Sequence, residues 1–151
     1  MAEDIVMKVS GVQGLGKALE DMTFRIDNAS RRIVERGGLL IANSAKRQFR
    51  GDTHALPNPP RPTRRTGNLR DSIEVKDVTR VGPGSWKSSV GPTMIYGRRV
   101  ELGGSSSYTT KKGTEVHVTT RPFPYLYPGF IEAKPRLVEL YNSEYRNAIG
   151  K

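Results

Sequence analysis

The sequence predicts an α+β fold in which a long N-terminal helix and a C-terminal helix pack on a small, mostly antiparallel sheet. Three observations lead to this prediction. Apolar residues recur at helical spacing over residues 13–50 and again within residues 129–149. Between them, apolar residues alternate on both sides of a Gly-Pro-Gly turn over residues 71–90, which is typical of a β-hairpin. Four prolines within residues 57–62 interrupt any regular element there.

The first helix is predicted from one stripe of apolar residues. Successive members lie three or four positions apart, as on one side of an α-helix: Leu15, Leu19, Met22, Ile26, Ala29 and Ile33. The same register continues to Phe49, which predicts a single helix that passes through Gly37 and Gly38, with a helix end at these glycines as the alternative. Gly37 lies on the stripe, where another backbone could approach closely.

Length and composition predict one domain, residues 1–151, with a modest core. The chain has an apolar fraction of 35% and 26 Gly and Pro residues together (16 and 10). It contains no cysteine, and its two histidines are His54 and His117, so neither a disulfide nor a metal or cofactor site is expected. No apolar run approaches 18 residues and no signal-peptide layout begins the chain, so we expect synthesis in the cytoplasm and no membrane partner.

The charge balance predicts a polyanionic partner. Lys and Arg number 25 against 15 Asp and Glu, a formal net charge of +10. Seven basic residues and one acid, Asp52, lie between Lys46 and Arg70. Within this segment, residues 51–66 are predicted to form an extended arm, since proline forbids regular pairing. The alternative is a solvated arm that only keeps the protein soluble.

Short elements are predicted between the two helices. Residues 4–9 and 71–81 read as strands, and the second pairs with a strand around Trp86, an indole expected to be at least half-buried in the sheet. Residues 94–103 fit two helical turns with Arg98 and Arg99 facing outward.

A second hairpin is predicted at residues 105–120, with a basic tip formed by Lys111 and Lys112. Its strands are polar on both faces, so it would gain most by lying against another subunit or another strand edge. For the same reason, four aromatic residues are candidates for subunit contacts: Tyr108, Phe123, Tyr125 and Tyr127.

The last helix is predicted within residues 129–149, where Pro135 either kinks it or marks its first turn. Its predicted apolar face consists of Phe130, Ile131, Leu137, Val138, Tyr141, Tyr145, Ala148 and Ile149.

No catalytic constellation is predicted. The histidines fall in the arm and in the polar hairpin, with no nucleophile and orienting group near them in the sequence. The pairs Glu74 with Asp77 and Glu139 with Glu144 have no setting that would separate their pKa values. We therefore expect that the protein is not an enzyme.

Four segments in this order resemble a phage family. They are Gly14-Leu15 opening a long helix, TGNLRDSI at residues 66–73, IYGRRVELG at residues 95–103 and RPFPYLYPG at residues 121–129. They resemble the small neck and tail-completion family of long-tailed bacteriophages, whose members show Thr-Gly-x-Leu-x-x-Ser-Ile, Tyr-Ala-x-x-Val-Glu-x-Gly-Thr and Pro-Phe-Leu-x-Pro-Ala elements. This chain departs from that pattern at Gly97, where alanine is usual, and at Gly104, where threonine is usual.

The resemblance implies a non-catalytic structural protein of the virion, in a ring around the DNA channel at the head-tail junction. It implies contacts with other copies of the chain (six, or alternatively twelve), with neighbouring head-completion or adaptor and tail proteins, and with DNA phosphate. The candidates for facing phosphate or a partner are Arg61, Arg64, Arg65, Arg98, Arg99, Lys111 and Lys112. The layer of the junction stays open. A free-standing basic protein that binds nucleic acid without sequence preference is the alternative function.

Overall fold

The computed structural model describes residues 11–49 and 67–150, and shows an α+β fold as predicted. The predicted strand at residues 4–9 and the arm at residues 51–66 lie outside the described residues. In chain order the elements are α1 (Val12–Arg47), α2 (Asn68–Asp71), β1 (Ile73–Val75), β2 (Thr79–Gly82), β3 (Ser85–Lys87), β4 (Val90–Pro92), α3 (Gly97–Leu102), β5 (Gly104–Thr109), β6 (Glu115–Thr120) and α4 (Leu126–Ile149). Among the described residues, no helix combines the length and hydropathy needed to cross a membrane.

Helix α1 runs unbroken for 36 residues through the glycine pair, which confirms the prediction of one long helix. Both glycines lie at close contacts with other elements. A Cβ on Gly37 would lie 3.1 Å from Cδ2 of Leu137, and one on Gly38 would lie 2.8 Å from Cγ1 of Val75. Both contacts are tighter than ordinary van der Waals packing. The two glycines therefore mark where α4 and β1 approach α1.

Helices α1 and α4 form an antiparallel pair. The hydroxyls of Ser30 and Tyr145 hydrogen bond at 2.7 Å near one end of the pair. Near the other end, a Cβ on Gly129 would lie only 2.6 Å from the Cα and the backbone nitrogen of Ala45. This is backbone-to-backbone packing, which only small residues permit.

The predicted apolar face of α4 is wrong in part. The residues that α4 buries are Gly129, Ala133, Glu144 and Ala148. Leu137 and Tyr145 are half-buried, but the other large members of the predicted face are exposed: Phe130, Ile131, Val138, Tyr141 and Ile149. The small residues bring the helices so close together that the bulky side chains lie beside the contact rather than in it. The helix also begins at Leu126, earlier than predicted, and Pro135 lies in its interior.

The first hairpin is confirmed, but its first strand is not continuous over residues 71–81. β1 pairs with β4 and β2 pairs with β3, both antiparallel, around the predicted Gly82-Pro83-Gly84 turn. Between the two paired segments, Ser88 Oγ donates to the carbonyl of Lys76, and Lys76 N donates to the carbonyl of Ser89. Trp86 is half-buried, as predicted.

The second hairpin is also confirmed. β5 and β6 pair in regular antiparallel register from Gly104 opposite Thr120 to Thr109 opposite Glu115. Most of its side chains are exposed. It follows α3 through Gly103, which has a φ of 71° and where a Cβ would meet the carbonyl of Thr120 at 2.7 Å. A glycine is required there on both grounds.

The buried core is small and centres on Ala42, Ala45, Ile73 and Tyr125. The ring of Phe49 lies with its centroid 4.9 Å from that of Tyr125. This cluster joins α1, β1 and the start of α4. A modest core agrees with the low apolar fraction of the chain.

We expect Gly129→Ala to destabilise the protein, because the new methyl group would overlap the backbone of α1. Overpacking of this kind costs about 1–3 kcal/mol. Gly16→Ala is the matched control, since a Cβ there meets nothing within 4 Å. That control should be neutral or raise the free energy of unfolding by up to about 1 kcal/mol, because alanine favours helix. Urea titrations of both variants measure the difference, and an unchanged midpoint for Gly129→Ala would contradict the packing.

Candidate interaction surfaces

The start of α4 is held by a carboxylate from α3. Glu101 Oε2 accepts hydrogen bonds from the backbone nitrogens of Tyr125, at 2.7 Å, and Leu126, at 3.0 Å. Its Oε1 accepts a third from the nitrogen of Tyr127, at 3.1 Å. The first N–H groups of a helix have no partner within the helix, and negative charge is favourable at this end. The residue just before α4, Tyr125, provides no side-chain cap. Glu101 from α3 therefore caps this helix instead.

Tyr125 completes the same joint. Its hydroxyl donates to the carbonyl of Gly97 at 3.2 Å, and its side chain is fully buried. Burial, followed by the charge of Glu101, raises the pKa of Tyr125 to about 12. The prediction that Tyr125 contacts another subunit is therefore wrong. A Cβ on Gly97 would overlap the ring of Pro92, so a larger residue there would force the packing to shift.

Asp27 of α1 anchors the first hairpin. Its Oδ1 accepts hydrogen bonds from Gly84 N, at 2.9 Å, and from Trp86 Nε1, at 3.2 Å. The guanidinium of Arg80 lies 3.3 Å from the same oxygen, and that of Arg31 lies 5.8 Å from the centroid of the Trp86 ring. The indole is thus a structural group that ties the hairpin to α1.

Two of the three carboxylates of α4, Glu132 and Glu144, bind basic residues of α1. Glu144, only 7% exposed, accepts from Arg32 Nε at 2.9 Å and from Arg36 at 2.6 Å. The hydrogen bond from Arg32 is the largest cause that lowers the pKa of Glu144, with Arg36 adding to it and burial opposing it. Nearer the start of α4, Glu132 accepts from Arg47. Both acids therefore form ion pairs within the α1–α4 pair.

The prediction that Arg99 faces outward is wrong. Its guanidinium donates to Thr120 Oγ1 at 3.2 Å, to Ser106 Oγ at 2.7 Å and to the carbonyl of Val118 at 3.3 Å. It therefore fastens the base of the second hairpin to α3. Arg98, the preceding residue, is exposed as predicted.

The basic tip of the second hairpin is accessible. Lys111 and Lys112 are exposed and form no ion pair with the residues that the structure describes. Six-residue strands place the tip about 20 Å from the base of the hairpin. Three further basic candidates lie outside the described residues: Arg61, Arg64 and Arg65.

The remaining aromatic candidates differ in how accessible they are. Tyr108 on β5 and Tyr127 in the first turn of α4 are exposed, whereas Phe123 is half-buried. The structure brings none of the three into the buried core. Tyr108 and Tyr127 thus remain available to a neighbouring chain, and their contact with one stays a prediction.

Both long helices also expose large apolar residues. On α1 these are Leu15, Leu19, Phe24 and Leu39, and on α4 they are Tyr127, Phe130, Ile131, Val138, Tyr141 and Ile149. Grouped exposed apolar residues mark interaction sites. The sequence did hold a signal, because small residues at 129, 133 and 148 follow their own helical spacing beside the bulky stripe.

The described residues contain no group of three or more His, Asp or Glu side chains placed to hold a metal ion.

Comparison with known proteins identifies a family. A family model described as "Bacteriophage HK97-gp10, putative tail-component" matches residues 13–103. The matched segment includes α1 from residue 13, the TGNLRDSI and IYGRRVELG motifs and strands β1 to β4. No curated protein and no solved structure matches the chain.

The stability of the protein should fall in acid through Glu144. The folded-state pKa of Glu144 lies below its ordinary value of 4.5, so its stabilising effect is complete above that value and is lost as the pH falls toward the folded-state pKa. Glu144→Gln should therefore lower the free energy of unfolding most at neutral pH, with the difference shrinking below about pH 5. Glu139→Gln, an exposed carboxylate on the same helix, is the control. A difference for Glu144→Gln that stays constant from pH 7 to pH 3 would contradict this assignment.

Proposed function

Because this chain belongs to the HK97-gp10-like family of bacteriophage tail components, we propose that it forms a ring around the DNA channel at the junction of the phage head and tail. Membership of the family makes the chain a tail-related structural protein of the virion, which contacts other virion proteins. The ring, its place at the junction and its contact with DNA are the proposal.

The observation that carries the proposal is the distribution of apolar surface. The buried core is small, yet bulky apolar side chains are exposed along both long helices. Monomeric soluble proteins rarely expose large contiguous apolar patches, so these side chains favour a role in an assembly. In the proposed assembly, six copies surround the channel, with neighbouring head-completion or adaptor and tail proteins above and below. The exposed apolar side chains would be buried against these neighbouring chains.

The charge of the chain supports a position beside DNA. The net charge is +10, and the acids Glu132 and Glu144 of α4 are occupied by basic residues of α1. Exposed cations such as Arg98, Lys111 and Lys112 would contact phosphate without reading base edges. In this proposal the protein is made in the host cytoplasm, performs no catalysis and acts by joining.

Deletion of the gene should leave DNA-filled heads and separate tails in the lysate, because no ring would connect the two. Electron microscopy of the lysate checks this result, and a plasmid copy of the gene should restore joined particles. The wild-type protein should be present at the head-tail junction in purified particles. Joined, infectious particles without the protein would rule the function out, and its absence from purified particles would favour the free nucleic-acid-binding alternative.

Binding of duplex DNA should depend steeply on salt and little on sequence, because the contacts are with phosphate. The logarithm of the binding constant should fall with the logarithm of salt concentration by about 0.9 per phosphate neutralised. Changing Lys111 and Lys112 together to Ala should reduce this slope by up to about 2, whereas Lys76→Ala, an exposed residue away from the tip, should change it less. Fluorescence anisotropy over a salt series measures both slopes. An unchanged slope for the double variant would remove the tip from the DNA contact.

A further inference from the structure

Two arginines of α1 share one buried carboxylate of α4. Arg32 Nε donates to Glu144 Oε2 at 2.9 Å, and Arg36 Nη1 donates to Glu144 Oε1 at 2.6 Å. The pKa of Glu144 lies below its ordinary value of 4.5, so this side chain carries one negative charge at neutral pH. The two guanidinium groups carry two positive charges. The three side chains, which we call the arginine fork, therefore keep an excess of one positive charge.

The acids near the arginine fork do not cancel this excess. Glu35, which lies between Arg32 and Arg36 in the sequence, accepts from Arg31 at 2.8 Å. Glu139 lies five positions before Glu144, about 140° around α4, so it points away from α1. The fork is therefore an attractive site for an anion.

The guanidinium groups of the fork are open to a ligand. Each has five N–H groups, and Glu144 takes one hydrogen bond from each arginine, which leaves most of them available. The side chains of Arg32 and Arg36 are 49% and 63% exposed. The two residues are four positions apart on α1, so their Cβ atoms are about 6 Å apart on one side of the helix. One ligand group can therefore reach both side chains.

Glu144 holds the two guanidinium groups in position before any ligand arrives. It is only 7% exposed, so the end of each arginine is fixed against a buried group of the fold. A side chain that is already ordered loses less conformational entropy when it binds. The planar guanidinium matches the oxygens of a phosphate group with two parallel hydrogen bonds. Because the site lies on an open helix surface, it suits a phosphate of a polymer better than an enclosed small anion.

We infer that the arginine fork binds a backbone phosphate of duplex DNA. The inference deepens the proposed function, on whose contact with DNA it rests, and assigns part of that contact to the α1–α4 pair. Arg32 and Arg36 contact the phosphate, and Glu144 is a positioning residue. Contacts to phosphate carry no sequence information, in agreement with a chain of net charge +10 that binds DNA of any sequence.

Substitution of Arg36 tests the fork while Glu144 stays paired. Arg36→Gln removes one guanidinium group but leaves Arg32, whose hydrogen bond is the largest cause of the lowered pKa of Glu144. Arg36→Lys keeps the charge and loses the planar group. The matched controls are Arg146→Gln and Arg146→Lys, because Arg146 is exposed and lies about 160° around α4 from Glu144. Urea titrations verify that every full-length variant folds.

The affinity for duplex DNA is measured by fluorescence anisotropy over a salt series. Arg36→Gln should weaken binding at low salt by about tenfold or more, because charge-assisted hydrogen bonds are lost. The slope of log affinity against log salt should fall by about 0.9, the value for one phosphate. Arg36→Lys should weaken binding several-fold with the slope unchanged, since the phosphate is still neutralised. Both Arg146 variants should change the affinity and the slope much less.

Three results of this titration would overturn the inference while the proposed function stands. The first is equal affinity of wild type and Arg36→Gln for duplex DNA. The second is an equal loss for Arg36→Gln and Arg146→Gln, which would make net charge the cause. The third is wild-type affinity for Arg36→Lys, which would show that the planar group is not used.

Inorganic phosphate distinguishes a small anion from DNA as the ligand. Wild type and Arg36→Gln are melted in phosphate and in chloride at equal ionic strength. The melting temperature of both proteins should respond alike to the two salts. Stabilisation by phosphate that Arg36→Gln abolishes, without a loss of affinity for DNA, would overturn duplex DNA as the ligand.

A complementation assay separates failure of this inference from failure of the proposed function. In the gene-deletion background, Arg36→Gln should join heads to tails less well than Arg146→Gln. If Arg36→Gln fails to join while the wild-type protein binds no DNA, the fork serves an acidic partner protein and the inference is overturned. Joined, infectious particles in the uncomplemented deletion would overturn the function, and the DNA titration would still decide what the fork binds.

Discussion

Gly129 places the backbone of α4 directly against that of α1 at Ala45, and this close approach determines where the other elements lie. With the helices so near, Glu144 comes within reach of Arg32 and Arg36, and Tyr125, just before α4, enters the core beside Phe49. A larger residue at position 129 would separate the helices and weaken each of these contacts together.

The same constraint accounts for the surface of the protein. Small residues occupy the side of α4 that meets α1, so its bulky residues are left on a neighbouring side, exposed. Two of the three acids of α4, Glu132 and Glu144, form ion pairs with α1, and the chain as a whole has a net charge of +10. Close packing inside the chain thus produces an outside that is apolar along the helices and positive elsewhere. Such a surface favours association with other chains and with a polyanion.

The motifs that carry the family resemblance have structural roles in this chain. Glu101 from IYGRRVELG caps α4, and Tyr125 from RPFPYLYPG donates to Gly97 of the same earlier motif. The two segments therefore form one joint, although the family model matches only the first of them. Such motifs identify the fold, while the specific partners depend on the surfaces that the fold presents.

Local spacing allowed the sequence to determine α1, α3, α4, both hairpins and the glycine turns. The reason is that 3.6-residue and two-residue periods and positive-φ glycines are encoded within a few neighbouring positions. The continuity of α1 through Gly37 and Gly38 is the clearest case. Only the tertiary structure decided which side of α4 is buried. Apolar spacing shows which residues could pack against a partner helix. It does not show whether the side with smaller residues lets that helix come closer. The tertiary structure likewise decided that Tyr125 is internal and that Arg99 holds the second hairpin, since both depend on groups distant in the sequence.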